Sequence, residues 1–350
     1  INVVLVDWTD SPNGSASITP NNTITIYVTQ PSGDSTLGLY ENWPLAIVMH
    51  ELAHIIHIDT VEGLPRIGRW LLGSLVSVHQ VAPLWTVEGF ATFQETRHTT
   101  GGRGKSAGVD MVKRAAVLED RFPPLGNMDG FTALPPSGNL RYLFGQDFIQ
   151  FIADTRGVDK WSEWVHRYGA SIPFIMPAKQ TFGEDFVGLY REWKAALTER
   201  YTLQAQAVEA EGATPFEFVS REGLSCGSPS WRPGQGWRMF SCSDPRKGSA
   251  TWKADSAGKN AKIFARGKYA EDVSWRADGK AYVYASLHQD GLYTVVDDVF
   301  MLDVDKKSTR QLTYGKRADD PAFSPDGSRI IAVTNELGRN QLAELTVDQR

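Results

Sequence analysis

Only two cysteines occur in the 350 residues, Cys226 and Cys242, too few to establish an oxidising compartment. They flank one apparent hairpin, so a disulfide between them and a pair of free thiols are both open readings. No block or stripe of basic residues is present, and the formal net charge is −5. That argues against nucleic acid as a partner. Long apolar runs are missing as well. The longest, at 45–49 and 71–78, fall far short of the roughly 20 residues that span a bilayer. An initiating methionine is absent and no signal peptide is visible. The chain opens at Ile1 on residues that already read as a strand, so a removed targeting segment or a fragment is expected.

What is present is ordinary for a globular protein: 41 % hydrophobic and 22 % charged residues. The length suits two domains. Residues 1–212 mix short strands with helical patterns. Residues 23–29 alternate strictly and predict a half-buried strand. A helix follows from about Pro44, with Asn42 as its cap. It is apolar on nearly every side, through Leu45, Ile47, Val48, Leu52, Ile55 and Ile56, and so is expected to be buried. Further helices are expected around 84–98, 107–120, 140–155, 159–168 and 184–211.

Residues 213–350 lose the helical period. Three similar stretches, around Trp231, Trp275 and Phe323, are each followed by an apolar strand. They lie 44 and 48 residues apart. A repeat of that length made of short strands predicts propeller blades, with Asp278-Gly279 and Asp326-Gly327 at tight turns. Three blades cannot close a ring. The expectation is an incomplete propeller, finished by another polypeptide or by a missing segment.

The chemistry is carried by His50-Glu51-Leu52-Ala53-His54. Residues i and i+4 share one helix face, so both imidazoles can reach one metal ion. Glu51 lies beside the first histidine, placed to take a proton from a water activated by that metal. The other reading is a buried helix with two core histidines.

With Leu84-Trp85-Thr86-Val87-Glu88-Gly89-Phe90-Ala91 added, the pattern resembles the gluzincin zinc metallopeptidases. The resemblance is nearest the peptidase MA-like branch, whose members often carry TolB-like propeller repeats. It covers about the first 200 residues by motif and the rest more loosely. It implies an α+β zinc-metallopeptidase domain, mostly helical with a small N-terminal sheet, followed by the all-β propeller segment. It implies one Zn2+ per chain, held by His50, His54 and Glu88, with Glu51 as catalytic base and a peptide or protein as substrate. Gly89 and Ala91 would let the Glu88 helix approach the His50 helix closely. Residues 23–29 match the edge strand that gluzincins place over the zinc helix. Tyr142, before Gly145, matches the aminopeptidase tyrosine that binds the oxyanion; a core tyrosine is the equal alternative. The aminopeptidase Gly-x-Met-Glu-Asn segment is absent, Tyr40-Glu41-Asn42 being a faint echo, which favours internal cleavage.

The 33 residues between His54 and Glu88 exceed the short connection of thermolysin. Their apolar part, residues 67–78, reads first as an extra buried helix and second as a cleft cap or a membrane-surface contact. His57 reads as packing or as a support behind the ligands, and Asp59 and Glu95 as carboxylates able to orient a ligand histidine. His79, His98, His166 and His288 stand alone. The competing function is a propeller-based binding scaffold with a silent peptidase-like domain. An extracytoplasmic location is expected.

Overall fold

The Asn42 side chain accepts a hydrogen bond from the Leu45 amide at 3.0 Å, and Pro44 occupies the first turn, where no N–H is needed. These two residues start helix α1, Trp43–Asp59. The computed structural model describes residues 1–31, 40–132, 136–172, 175–212, 214–215, 225–244, 248–266, 273–336 and 339–347. Contacts divide the chain into two compact units. The first holds Ile1–Leu5, Asn13–Ile26 and Pro31–Thr214; the second holds Val6–Pro12, Tyr27–Gln30 and Pro215–Arg350. This differs from a single cut at 212/213, because two early segments sort with the later unit. Arg317 accounts for them: its guanidinium donates to Asp10 at 2.6 Å and to Thr29 at 2.7 Å, and it also pairs with Asp7.

In the first unit, strands β1 (Asn2–Val6), β2 (Gly14–Ser17) and β3 (Thr23–Tyr27) form a sheet in the order β1-β3-β2. Alternation in β3 buries Ile24 and Ile26. β3 is therefore central, and the expectation that it is the edge strand is corrected. The strand against α1 is β2: a Cβ on Gly14 would stand 2.7 Å from Ile47 and 2.8 Å from Glu51 Oε1. Helix α1 buries Ala46, Ile47, Ala53 and Ile55 but leaves Leu45 and Ile56 exposed, so one line of it faces water.

The remaining helices are α2 (Gly63–Leu72), α3 (Leu84–His98), α4 (Ala107–Leu118), α5 (Leu140–Arg156), α6 (Val158–Gly169), α7 (Ala178–Phe182) and α8 (Phe186–Glu211). Their core is aromatic: Trp85, Phe144, Phe148, Trp161, Trp164 and Trp193 are all buried, with Phe148 stacked on Trp193 at 4.9 Å. Gly89 does permit a close approach, but to α5 rather than α1. A Cβ there would lie 2.5 Å from the Gly145 carbonyl carbon, and one on Gly145 would lie 2.8 Å from the Trp85 oxygen. Helix α2 also departs from expectation. It was expected to be buried, and none of its residues is. Val78, at the end of the 67–78 stretch, turns inward instead.

Among the described residues, the second unit contains three antiparallel meanders. The first is β4 (Ser225–Trp231), β5 (Trp237–Asp244), β6 (Gly248–Asp255) and β7 (Lys262–Arg266). The second is β8 (Ser274–Trp275), β9 (Ala281–Asp290), β10 (Thr294–Asp303) and β11 (Ser308–Gln311); the third is β12 (Ala318–Phe323), β13 (Arg329–Glu336) and β14 (Arg339–Thr346). The turn glycines Gly279 and Gly327 have φ of +67° and +71°, as their Asp-Gly sequences require. The repeat also sets the stacking. Trp275 Nε1 donates to Ser230 Oγ at 3.1 Å, and one blade later the Phe323 amide donates to Ser274 Oγ at 2.9 Å. β9 is covered on both faces, by Met239 of the first meander on one side and by Ile330 of the third on the other. Hence Ala281–Tyr284 shows no alternation. Cys226 and Cys242 face each other in the β4–β5 register and form a disulfide.

Candidate metal centre

His50 and His54, one turn apart on α1, turn their Nε2 atoms to within 3.1 Å of each other. From α3, Glu88 Oε2 comes within 3.1 Å of His54 Nε2 and 3.5 Å of His50 Nε2. Both histidines are buried and Glu88 is half-buried, and the three form a group able to hold a metal ion. Glu88 Oε2 is itself buried and, among the described residues, lacks a hydrogen-bond partner of good geometry. Such an atom is costly unless something else occupies its lone pairs.

Without metal, burial works against charge on His50. Its contacts with Glu88 and then Glu95 win, and hold it up at about 9. For Glu88, burial favours the neutral acid, but the two histidines hold the carboxyl far below the usual range. Glu51 is buried, and its carboxyl is pushed up chiefly by desolvation, with His50 and His54 opposing.

Behind His50 lies a second layer. Glu95 Oε2 stands 2.9 Å from His50 Nδ1, fixing which ring nitrogen faces Glu88. Arg103 grips Glu95 with two bonds, 2.7 and 2.8 Å, and Tyr40 donates its hydroxyl to the same carboxylate. Burial disfavours the Glu95 charge, but Arg103 prevails and lowers its carboxyl to about 2. Of the two carboxylates expected to orient a ligand histidine, Glu95 reaches His50; Asp59 instead pairs with Arg69 and accepts from Asn22. Arg103 belongs to no motif and Tyr40 only to the faint echo at 40–42, and the fold brings both here.

Tyr142 sits on α5 with its ring 6.3 Å from that of His50 and 4.9 Å below the Arg103 guanidinium. Burial and the nearby Glu88 charge push its phenol up to about 12, so it stays protonated at neutral pH. Of the two readings of His57, the core packing is what the structure holds. Its ring meets that of His79 at 4.6 Å, among Phe90 and Trp164. His166 pairs with Glu62 at 2.7 Å.

No protein-family model matches the sequence, and no curated relative is similar to it. Solved structures with some likeness include a protein assigned as TolB from Agrobacterium tumefaciens, with TM-score 0.32 and 22 % identity over 36 % of this chain and 45 % of that one. TolB from Acinetobacter baumannii gives 0.30 and 18 % over 36 % and 30 %. The β-propeller domain of the trilobed protease from Pyrococcus furiosus gives 0.23 and 11 % over 31 % and 34 %. The chain covers less than half the length of each. Likeness at these scores carries nothing about chemistry, which rests on the site itself.

Proposed function

We propose that the chain is a zinc-dependent peptidase that cuts internal peptide bonds. The observation that carries this reading is the spacing of three ligand atoms, 3.1, 3.1 and 3.5 Å apart. Ligands about 2.0–2.1 Å from a tetrahedral zinc stand about 3.3 Å from one another. Three protein ligands, rather than four, is the donor count of a catalytic site. His50, His54 and Glu88 would hold the ion, which supplies a Lewis acid and a water of lowered pKa. Glu51 takes the water's proton and passes it to the leaving amine. Tyr142, kept protonated, donates to the oxygen that becomes negative. The edge of β2 at Gly14, beside Glu51, offers backbone groups to which an extended peptide can add as a further strand. The disulfide supports an extracytoplasmic location.

The deciding experiment measures zinc content together with cleavage of a mixed peptide library. Wild type is expected to hold about one zinc and to cleave. Glu51→Gln is expected to keep the zinc and lose most turnover, and His54→Ala to lose both. Near-normal hydrolysis by Glu51→Gln would sink the base assignment. A zinc-loaded wild type with no cleavage of any peptide leaves the binding-scaffold reading in its place.

A further inference from the structure

Helix α2 is built inside out. At 3.6 residues per turn, Leu64, Ile67, Trp70, Leu71 and Leu72 spread over an arc of roughly 200°, leaving Arg66 and Arg69 on the remainder. A surface helix normally turns its apolar arc to the core. Here the polar side is anchored: Arg69 pairs with Asp59 at the end of α1 and reaches the Val76 carbonyl at 3.4 Å. The apolar side is bare, with Leu64 77 %, Trp70 84 % and, in the following turn, Leu75 71 % exposed. A contiguous apolar face of this kind marks an interaction surface.

The shape and charge of the face select its occupant. A groove on a partner protein takes a single i, i+3, i+4, i+7 stripe. This arc is about twice that width and continues past the helix into Leu75. Between Glu62 and Glu88 there is no acidic residue, although the whole chain is at −5, and exposed Arg66 stands at the rim of the arc. Apolar breadth, an outermost tryptophan and an arginine beside the arc are the chemistry of a helix lying at a lipid–water interface. We propose that α2 and the turn to Leu75 dock this protein on the surface of an anionic phospholipid bilayer. The proposal is independent of whether the metal centre cleaves peptides.

The test is co-sedimentation of the 350-residue chain with phosphatidylcholine vesicles, with and without phosphatidylglycerol. Wild type is expected to bind the phosphatidylglycerol vesicles more tightly. Trp70→Ser/Leu71→Ser is expected to bind both at least about tenfold more weakly, since it removes much of the inserted apolar area. Arg66→Gln should weaken binding about fivefold on the anionic vesicles alone. All three side chains are exposed, so circular dichroism should be unchanged. Wild type that stays in the supernatant with anionic vesicles overturns the proposal, as does a double variant that binds like wild type. A solution dimer that the double variant breaks, with no vesicle binding, assigns the face to a protein partner and also overturns it.

Discussion

His50 Nδ1 lies 2.9 Å from Glu95 Oε2, so the imidazole is held from behind while its Nε2 faces His54 and Glu88. The orientation is stiff because Glu95 is itself locked by Arg103 and Tyr40. Glu95→Gln should therefore weaken zinc binding by about 10- to 100-fold, the usual effect of losing such a support. Competition with a chelator of known affinity measures it. An unchanged affinity would show that His50 is oriented by packing alone. Glu95→Ala should do more harm, because it strands buried Arg103 without its carboxylate, a loss of about 3–5 kcal/mol in stability.

Tyr142→Phe removes a hydroxyl and little volume. Under the proposed mechanism it should cut kcat by about 100-fold or more while zinc content and KM hold, the pattern of a lost transition-state donor. Steady-state kinetics on one good peptide decides it. Unchanged kcat would return Tyr142 to a packing role against His50 and Arg103.

The legible part of this site was the part written locally. His50 and His54 share a face because they are four apart on one helix, and that spacing needs no tertiary information. The Asp-Gly turns announced two blades for the same reason. Arg103 and Tyr40 are placed by long-range folding around Glu95 and leave no periodic trace. The rank of β3 was not legible, because its alternation reports a buried face and not its place in the sheet. The exposure of helix α2 was not legible either, because apolar content predicts burial only when something exists to bury against.

Gly89→Ala should destabilise the helical unit. Its Cβ would fall 2.5 Å from the Gly145 backbone, which cannot step aside as a flexible side chain could. Overpacking of this kind costs about 1–3 kcal/mol. Because Glu88 precedes Gly89 on α3, the shift should also reduce zinc affinity. Thermal melts with and without zinc test both. A melting temperature equal to wild type would mean that α3 and α5 separate freely.

Acid should loosen the metal-free helical unit through His57 and His79. Burial lowers His79 to about 4, its bond to the Val165 carbonyl only partly opposing, and drives His57 well below the ordinary imidazole value. Imidazoles of the unfolded chain titrate near 6.5. Between that value and the folded ones, the unfolded chain binds more protons. Stability is therefore full above about pH 6.5 and falls as pH drops toward 4, by about 3 kcal/mol for His79 alone. Melting in chelator across this window, for wild type against His79→Gln, isolates the contribution. Equal pH slopes for the two proteins would contradict it.

The third blade carries the last prediction. β13 turns Ile330 and Ala332 toward the second blade, and its alternate residue Ile331 is 48 % exposed on the opposite face. The β13–β14 register pairs Val333 with Leu342, which puts Leu342, 79 % exposed, on that same outer face. Between propeller blades such a face is covered by the next sheet, and closed rings hold about four to eight blades. This face should therefore recruit a partner, which we expect to be a second polypeptide carrying further blades. Native mass measurement should give a value above the 38.8 kDa of one chain, through a companion or self-association. Ile331→Lys/Leu342→Glu should return it to that value, because charges on a face that must be desolvated oppose docking. A wild-type chain that stays at 38.8 kDa at every concentration, with no companion, would refute the shared propeller.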